Sequence, residues 1–285
     1  MHTATEAWYR AGRLIDAGGR KIFVIERGSG PVVFILHGFP GSSFDWIRVA
    51  DALESKARIV TFDLLGHGFS DKPDARYSLF DQADIAVEVA RQAGIDRCTL
   101  VGHDVGDTVA AELLMRSNEG RLPFTVDRAM LTNGSIFMDL VQLSAGQIAL
   151  LSLPDEVLTQ SLPLEGFRSG LASTFSPAHM PDADTIDAML SLIAHNEGDR
   201  VLPRVIRYID ERRANQDRWT AGLVEYSGPM TAAWGEQDPI AVPSMPRRLS
   251  ELRPATEVVT WDDVGHWPSV EVPGRVAALI ADRIT

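Results

Sequence analysis

Two hydrophobic rhythms run through the chain. Leu14 to Asp16 and Lys21 to Glu26 alternate apolar and polar positions around Ala17-Gly18-Gly19, which predicts a hairpin with one buried face. Val32 to Leu36 is apolar at every position, as a parallel strand covered on both sides must be. Ser43 to Leu53 then shows helical spacing, and Ile59, Val60 and Phe62 form a strand ending at Asp63. The loop Gly66-His67-Gly68-Phe69-Ser70 leads to a predicted helix over Leu79 to Ala93. Thr99 to Gly102 is the next strand. It runs into Val105, Val109, Ala110 and Leu113, one face of an amphipathic helix, and Ala129 to Leu131 adds a strand. Strands alternating with helices imply a mostly parallel α/β sheet.

The rhythm changes after Gly134. Up to about Ser227 only helical segments are readable, punctuated by Pro154, Pro163, Pro177, Pro181 and Pro203. Strands return at Met230 to Trp234 and Glu257 to Trp261, each followed by helical sequence. The expectation is an eight-stranded α/β core made of residues 1–133 and 228–285, interrupted by a helical cap over 134–227.

Composition narrows the function classes. The 285 residues are 45% hydrophobic and 23% charged, the usage of an ordinary folded protein. An excess of 39 acidic over 27 basic residues gives a net charge of −12, which repels nucleic acid and anionic membrane surfaces. Cys98 has no second cysteine to pair with, and no Cys/His cluster has zinc spacing. Met1 to Tyr9 lacks the apolar stretch of a signal peptide, and no run has membrane-helix length, so a cytoplasmic location is expected. Neither internal repeats nor low-complexity tracts are present.

The chemistry centres on Val101-Gly102-His103-Asp104-Val105-Gly106, set between a predicted strand and a predicted helix. Gly-x-x-x-Gly there is the form of a nucleophile elbow, whose tight turn lifts its central side chain above the sheet. That side chain is Asp104. Downstream, Asp238 follows the strand ending at Trp234 and His266 the strand ending at Trp261, the order nucleophile, acid, histidine. Upstream, His37-Gly38-Phe39-Pro40 follows the third strand, from where the Phe39 amide can join that of Val105 in an oxyanion hole. A carboxylate is a poor acyl-transfer nucleophile, but it can displace a leaving group from saturated carbon and form an alkyl ester. His266, oriented by Asp238, would then activate water against that ester.

These motifs resemble the α/β-hydrolase superfamily over nearly the whole chain, and the elbow aspartate resembles the epoxide hydrolase and haloalkane dehalogenase branch. The segments LHGFPGSSFDW, DLLGHGFSDKP, YSLFDQA, LTNGSIF and RYIDERRANQDRW are similar to the mesoderm-specific transcript proteins and their bacterial relatives, a likeness that bears on architecture more than on activity. The epoxide hydrolase resemblance implies cap tyrosines facing the nucleophile. Tyr208 is the first candidate proton donor and Tyr226 the second. Where many relatives carry Trp after the nucleophile, this chain has Val105, which lowers the dehalogenase reading.

The leading expectation is a hydrolase that needs no metal or organic cofactor and opens a small apolar or amphipathic epoxide to a diol. The alternatives are a haloalkane or haloacid dehalogenase and a non-catalytic ligand-binding protein of the same fold. Candidate substrate contacts are His37, Trp46 and Trp219, the two indoles being the halide donors a dehalogenase would need. Arg204, Arg207, Arg212, Arg213 and Arg218, interleaved with acids, read as a solvated face. His103, Asp107, Asp63 and His67 read as loop and turn hydrogen bonders, while His179 and His195 have no partner pattern. A monomer or homodimer fits equally.

Overall fold

The computed structural model describes residues 2–284. Eight strands form one sheet: β1 (Arg13–Asp16), β2 (Lys21–Gly28), β3 (Val32–Leu36), β4 (Arg58–Phe62), β5 (Arg97–His103), β6 (Thr125–Thr132), β7 (Met230–Gly235) and β8 (Thr256–Trp261). Their spatial order is β1-β2-β4-β3-β5-β6-β7-β8. The β1–β2 and β2–β4 pairings are antiparallel and the other five are parallel. Gly18 and Gly19 turn the β1–β2 hairpin at φ 66° and 83°, a region open to glycine because it has no Cβ.

The all-apolar reading of β3 has a direct structural cause. Phe34 and Leu36 enter one buried cluster and Val33 and Ile35 the other, so each face of the strand meets a separate core. β3 also lies where the strand order reverses. The chain steps from β3 to β4 on one side, then crosses back to lay β5 on the other, pairing Leu36 with Gly102. Loops leaving the carboxyl ends of β3 and β5 must therefore diverge, opening a crevice at this switch point.

One element was not anticipated and two local readings differ from the structure. Residues Thr3–Ala11 form a helix, anchored by the buried Trp8 indole, which donates to Ser43 Oγ at 3.1 Å. The segment after β3 is a 3-10 turn, Ser43–Trp46, followed by a short α-helix, Ile47–Leu53, because Ser42 and Asp45 cap the turn reciprocally. Pro203 does not break the chain but lies inside the helix Gly198–Val205, which ends two residues later.

Between β6 and β7 the chain holds the helices Ala145–Ser152, Leu164–Ala172, Ala183–Ile193, Gly198–Val205, Tyr208–Ala214 and Gln216–Val224. Glu211 ties this segment to the sheet side, accepting from Leu79 N at 2.5 Å, Arg76 at 2.8 Å and Ser78 Oγ at 2.9 Å. His266 N donates to Thr174 O at 2.9 Å, a second tie. No helix among the described residues is long and apolar enough to cross a membrane.

Candidate active site

Asp104 occupies the turn between β5 and the helix Val105–Asn118, with φ 48° and ψ −111°. A non-glycine residue held there is strained, and the neighbouring glycines show why the turn closes so tightly. A Cβ on Gly106 would come within 2.2 Å of Leu36 O, and one on Gly102 within 2.4 Å of Asp107 Oδ1. Gly38 is under the same constraint, its Cβ position lying 2.9 Å from Asp104 Cβ. This close approach lets the Phe39 amide donate to Asp104 Oδ2 at 2.9 Å. One carboxylate oxygen is thus held by the loop after β3. The Val105 amide heads the helix directly behind it.

His266 and Asp238 meet as the spacing predicts. His266 Nδ1 lies 2.7 Å from Asp238 Oδ2, both residues buried. A carboxylate only accepts, so Nδ1 carries the proton and in the neutral ring Nε2 carries none. Asp238 also accepts from Ile240 N at 2.7 Å, Ala241 N at 3.0 Å and Asn133 Nδ2 at 2.8 Å. Burial pushes its carboxyl upward, but the His266 charge and these donors outweigh it and hold it below the usual range. Burial likewise pulls His266 down, and the Asp238 charge with its hydrogen bond reverses this to a net rise above 6.5.

The sign of that shift sets a pH dependence. A general base works in its neutral form, so the acid limb of kcat should have its midpoint above 6.5. In Asp238→Asn the raising charge is lost and the limb should move to lower pH, while kcat falls by about 10⁴-fold because the imidazole loses its tautomer and orientation. A kcat–pH profile of both forms checks this. An unmoved limb would remove Asp238 from the assignment.

Two residues holding this pair escaped sequence reading. Asn133, at φ 47° just after β6, donates to Asp238 and to Gly265 O beyond β8 at 3.3 Å, and accepts from Gly235 N at 2.9 Å, joining the ends of three strands. Glu271 accepts from Gly265 N, Trp267 N and Ser176 N at 2.8, 2.9 and 3.0 Å, clamping both sides of His266. The only sequence signal was Asn133 within the LTNGSIF segment, where a left-handed turn residue follows a strand.

A cavity of about 490 Å³ opens beside this centre, with Phe39, His266 and Trp267 at one part of its wall and Leu150, Phe167 and Leu171 at another. Tyr208 packs against Phe39, ring centroids 5.5 Å apart, and is buried with no hydrogen-bond partner for its hydroxyl. Burial, then the Asp104 charge, raises its pKa; Arg212 and Gln147 oppose the rise. Asp104 and Tyr208 do not themselves line the cavity, but Phe39, which does, touches both.

The other candidates lie elsewhere. The Tyr226 hydroxyl donates to Val126 O at 2.9 Å, near the start of β6 and so at the opposite end of the sheet from the elbow. Trp46 is 1% exposed within the core cluster that includes Trp8 and Phe44. Trp219 gives its indole N–H to Glu112 at 3.1 Å. His37 is spent on the backbone, with Nδ1 at Gly38 O and Nε2 accepting from Leu64 N, both 2.9 Å. None of these four lines the cavity; in each case core packing or a backbone partner claims the side chain.

The polar neighbours behave as hydrogen bonders. His103 Nε2 meets His266 O at 2.8 Å, and Asp63 accepts from Ser43 N, Ser43 Oγ and Phe69 N at 2.8, 2.6 and 2.7 Å. His179 pairs with Asp263 at 2.8 Å. Arg212 departs from the solvated face expected for its segment, being 2% exposed. No group of three or more His, Cys, Asp or Glu among the described residues is placed to hold a metal ion.

Comparison with known proteins agrees with this architecture. Residues 31–273 match the family model described as alpha/beta hydrolase fold. The chain is 37% identical over 272 residues to the "Putative hydrolase LipZ" of Mycobacterium tuberculosis, covering 95% of this chain and 94% of that protein. It is 34% identical over 291 residues to the mesoderm-specific transcript homolog protein of Bos taurus, covering 96% and 85% respectively. The crystal structure of Cfl2 from Burkholderia cenocepacia superposes with a TM-score of 0.79 at 25% identity, over 96% of this chain and 95% of that one. With the strand order, the elbow and an extensive match to the family model in agreement, this chain belongs to the α/β-hydrolase fold family.

Proposed function

We propose that the protein is a hydrolase acting at saturated carbon through Asp104, and that it opens an apolar or amphipathic epoxide to a diol. The observation that carries this reading is the carboxylate at the elbow, with one oxygen on the Phe39 amide and a buried, unpartnered phenol nearby. In the first step the free Asp104 oxygen attacks an epoxide carbon and the carbon–oxygen bond breaks. The departing oxygen takes the Tyr208 proton, leaving an alkyl ester and a phenolate. In the second step His266 Nε2 takes a proton from water, which adds to the ester carbonyl while the Phe39 and Val105 amides hold the oxyanion. The alkyl oxygen leaves as the diol, Asp104 returns as carboxylate, and the remaining proton restores Tyr208.

The halide reading has less support. A departing halide needs N–H donors, and Trp267, the one indole on the cavity wall among the described residues, gives its N–H to Thr174 Oγ1 at 2.8 Å. A pure binding role leaves the His266–Asp238 pair without a task.

His266→Gln tests the proposal by blocking the second step. After incubation with a mixed set of epoxides and haloalkanes, intact mass should rise by one whole epoxide, mapped to Asp104. A gain equal to the haloalkane minus hydrogen halide would establish dehalogenation instead. No adduct with any member would overturn the covalent mechanism.

A further inference from the structure

We propose that Arg212 is the counter-charge for the phenolate formed on Tyr208 during ring opening, an assignment that rests on the epoxide reading above. Its environment sets it apart from the neighbouring arginines. Arg204 pairs with Asp74, Arg207 and Arg213 with Asp210, and Arg218 with Glu112 and Glu119. Arg212 has no carboxylate within ion-pairing distance among the described residues. Its Nε donates to Thr108 Oγ1 at 2.8 Å, and its Nη2 is buried without a partner.

A guanidinium cannot shed its proton in a protein, so Arg212 is a cation held out of water with no carboxylate paired to it; the nearby Asp107 feels its charge, but burial drives that carboxyl well above the usual range and so toward its neutral form. Such a group is costly to bury, and the cost is recovered only if negative charge comes to it. Ring opening supplies that charge. Asp104 begins with the negative charge and ends as a neutral ester; the phenolate carries the charge afterwards. Arg212 lies with its guanidinium carbon 5.0 Å from the Tyr208 ring centroid, at i+4 on the same helix, and makes no ion pair with Asp104. Its interaction therefore strengthens as the proton leaves, which is the condition for lowering a barrier rather than only tightening binding. Thr108 fixes the arrangement from the helix that follows the nucleophile, so one side chain couples the acid to the nucleophile's own helix.

A purely structural role, tethering that helix through Thr108, predicts a different pattern. The test measures the rate of Asp104 alkylation by 1,2-epoxyhexane in the His266→Gln background, by intact mass over time. Arg212→Gln, which keeps a donor for Thr108 but drops the charge, should slow alkylation by about 100-fold. Arg212→Lys should recover most of that loss. Combined with Tyr208→Phe, Arg212→Gln should cause no further slowing, since the group it serves is gone. If Arg212→Gln fails to fold, Arg212→Met read against the same Tyr208→Phe background replaces it. Equal slowing by Gln and Lys, or an undiminished effect without the Tyr208 hydroxyl, overturns the assignment to Arg212 alone. No adduct even with Arg212 intact overturns the epoxide reading and this assignment with it.

Discussion

Asp104→Asn should reduce turnover by about 10⁴-fold or more while leaving the protein folded. In the proposed mechanism the step removed is bond formation itself, for which neither the oxyanion amides nor the His266 pair would substitute. Asparagine is the informative replacement. Its carbonyl can still accept the Phe39 amide now bonded to Asp104 Oδ2, so the loop after β3 should not move. Stability should be unchanged or slightly higher, because a buried carboxylate held at a strained turn is replaced by a neutral amide. Turnover, thermal midpoint and mass should be read immediately after purification. Slow deamidation restores aspartate, so activity regained in step with a mass increase of about 1 Da would support the assignment. Turnover within tenfold of the parent at the first time point, without that mass change, would mean that Asp104 is not the nucleophile.

How far the sequence carried depended on the range of the physical cause. β3 was readable because an all-apolar pentapeptide can only be satisfied between two cores, and both cores are present. The elbow was readable because its glycines answer to contacts a few ångströms away: Gly102 to Asp107, Gly106 to the end of β3. Asp238 and His266 followed from chain order alone. The helical segment between β6 and β7 followed different rules. Its helices could be recognised from spacing, but which side chain faces the cavity depends on how they pack, and that is a property of no short segment. Tyr208 came to rest beside Phe39, whereas Tyr226 was drawn to the β6 backbone and Trp219 to Glu112.

The arginines show the same limit. A run of alternating charge ordinarily lies in water, and Arg213 does, with its partner Asp210 also solvated. Arg212 immediately precedes it in the same helix yet points inward, because Tyr208 at i−4 occupies the buried stripe and Arg212 shares it. Asn133 and Glu271 were missed for a related reason. Each serves backbone groups from several chain ends that only the completed sheet brings together.

The elbow's glycines give the second large effect, on stability. Gly106→Ala would place a methyl group 2.2 Å from Leu36 O and 2.7 Å from His37 O, both backbone atoms. A flexible side chain could rotate away, but Leu36 belongs to β3, which is paired to β4 on one side and β5 on the other. Relief must come from the helix Val105–Asn118 lifting off the sheet, and its buried stripe of Val109, Ala110 and Leu113 would lift with it. The expected cost is about 3 kcal/mol or more, a fall in melting temperature on the order of 10 °C. Gly274→Ala is the matched control. That glycine is also helical, in Pro273–Ala281, but its Cβ position has nothing within 4 Å, so alanine there should leave stability equal or raise it through helix propensity. Activity should part the two as well. Gly274→Ala should keep full turnover, whereas any Gly106→Ala protein that stays folded should lose it steeply, because a helix displaced by even 1 Å carries the Val105 amide and the Asp104 carboxylate out of line with Phe39. Equal melting temperatures for the two variants would mean that the close approach of helix and strand does not set the geometry of the turn.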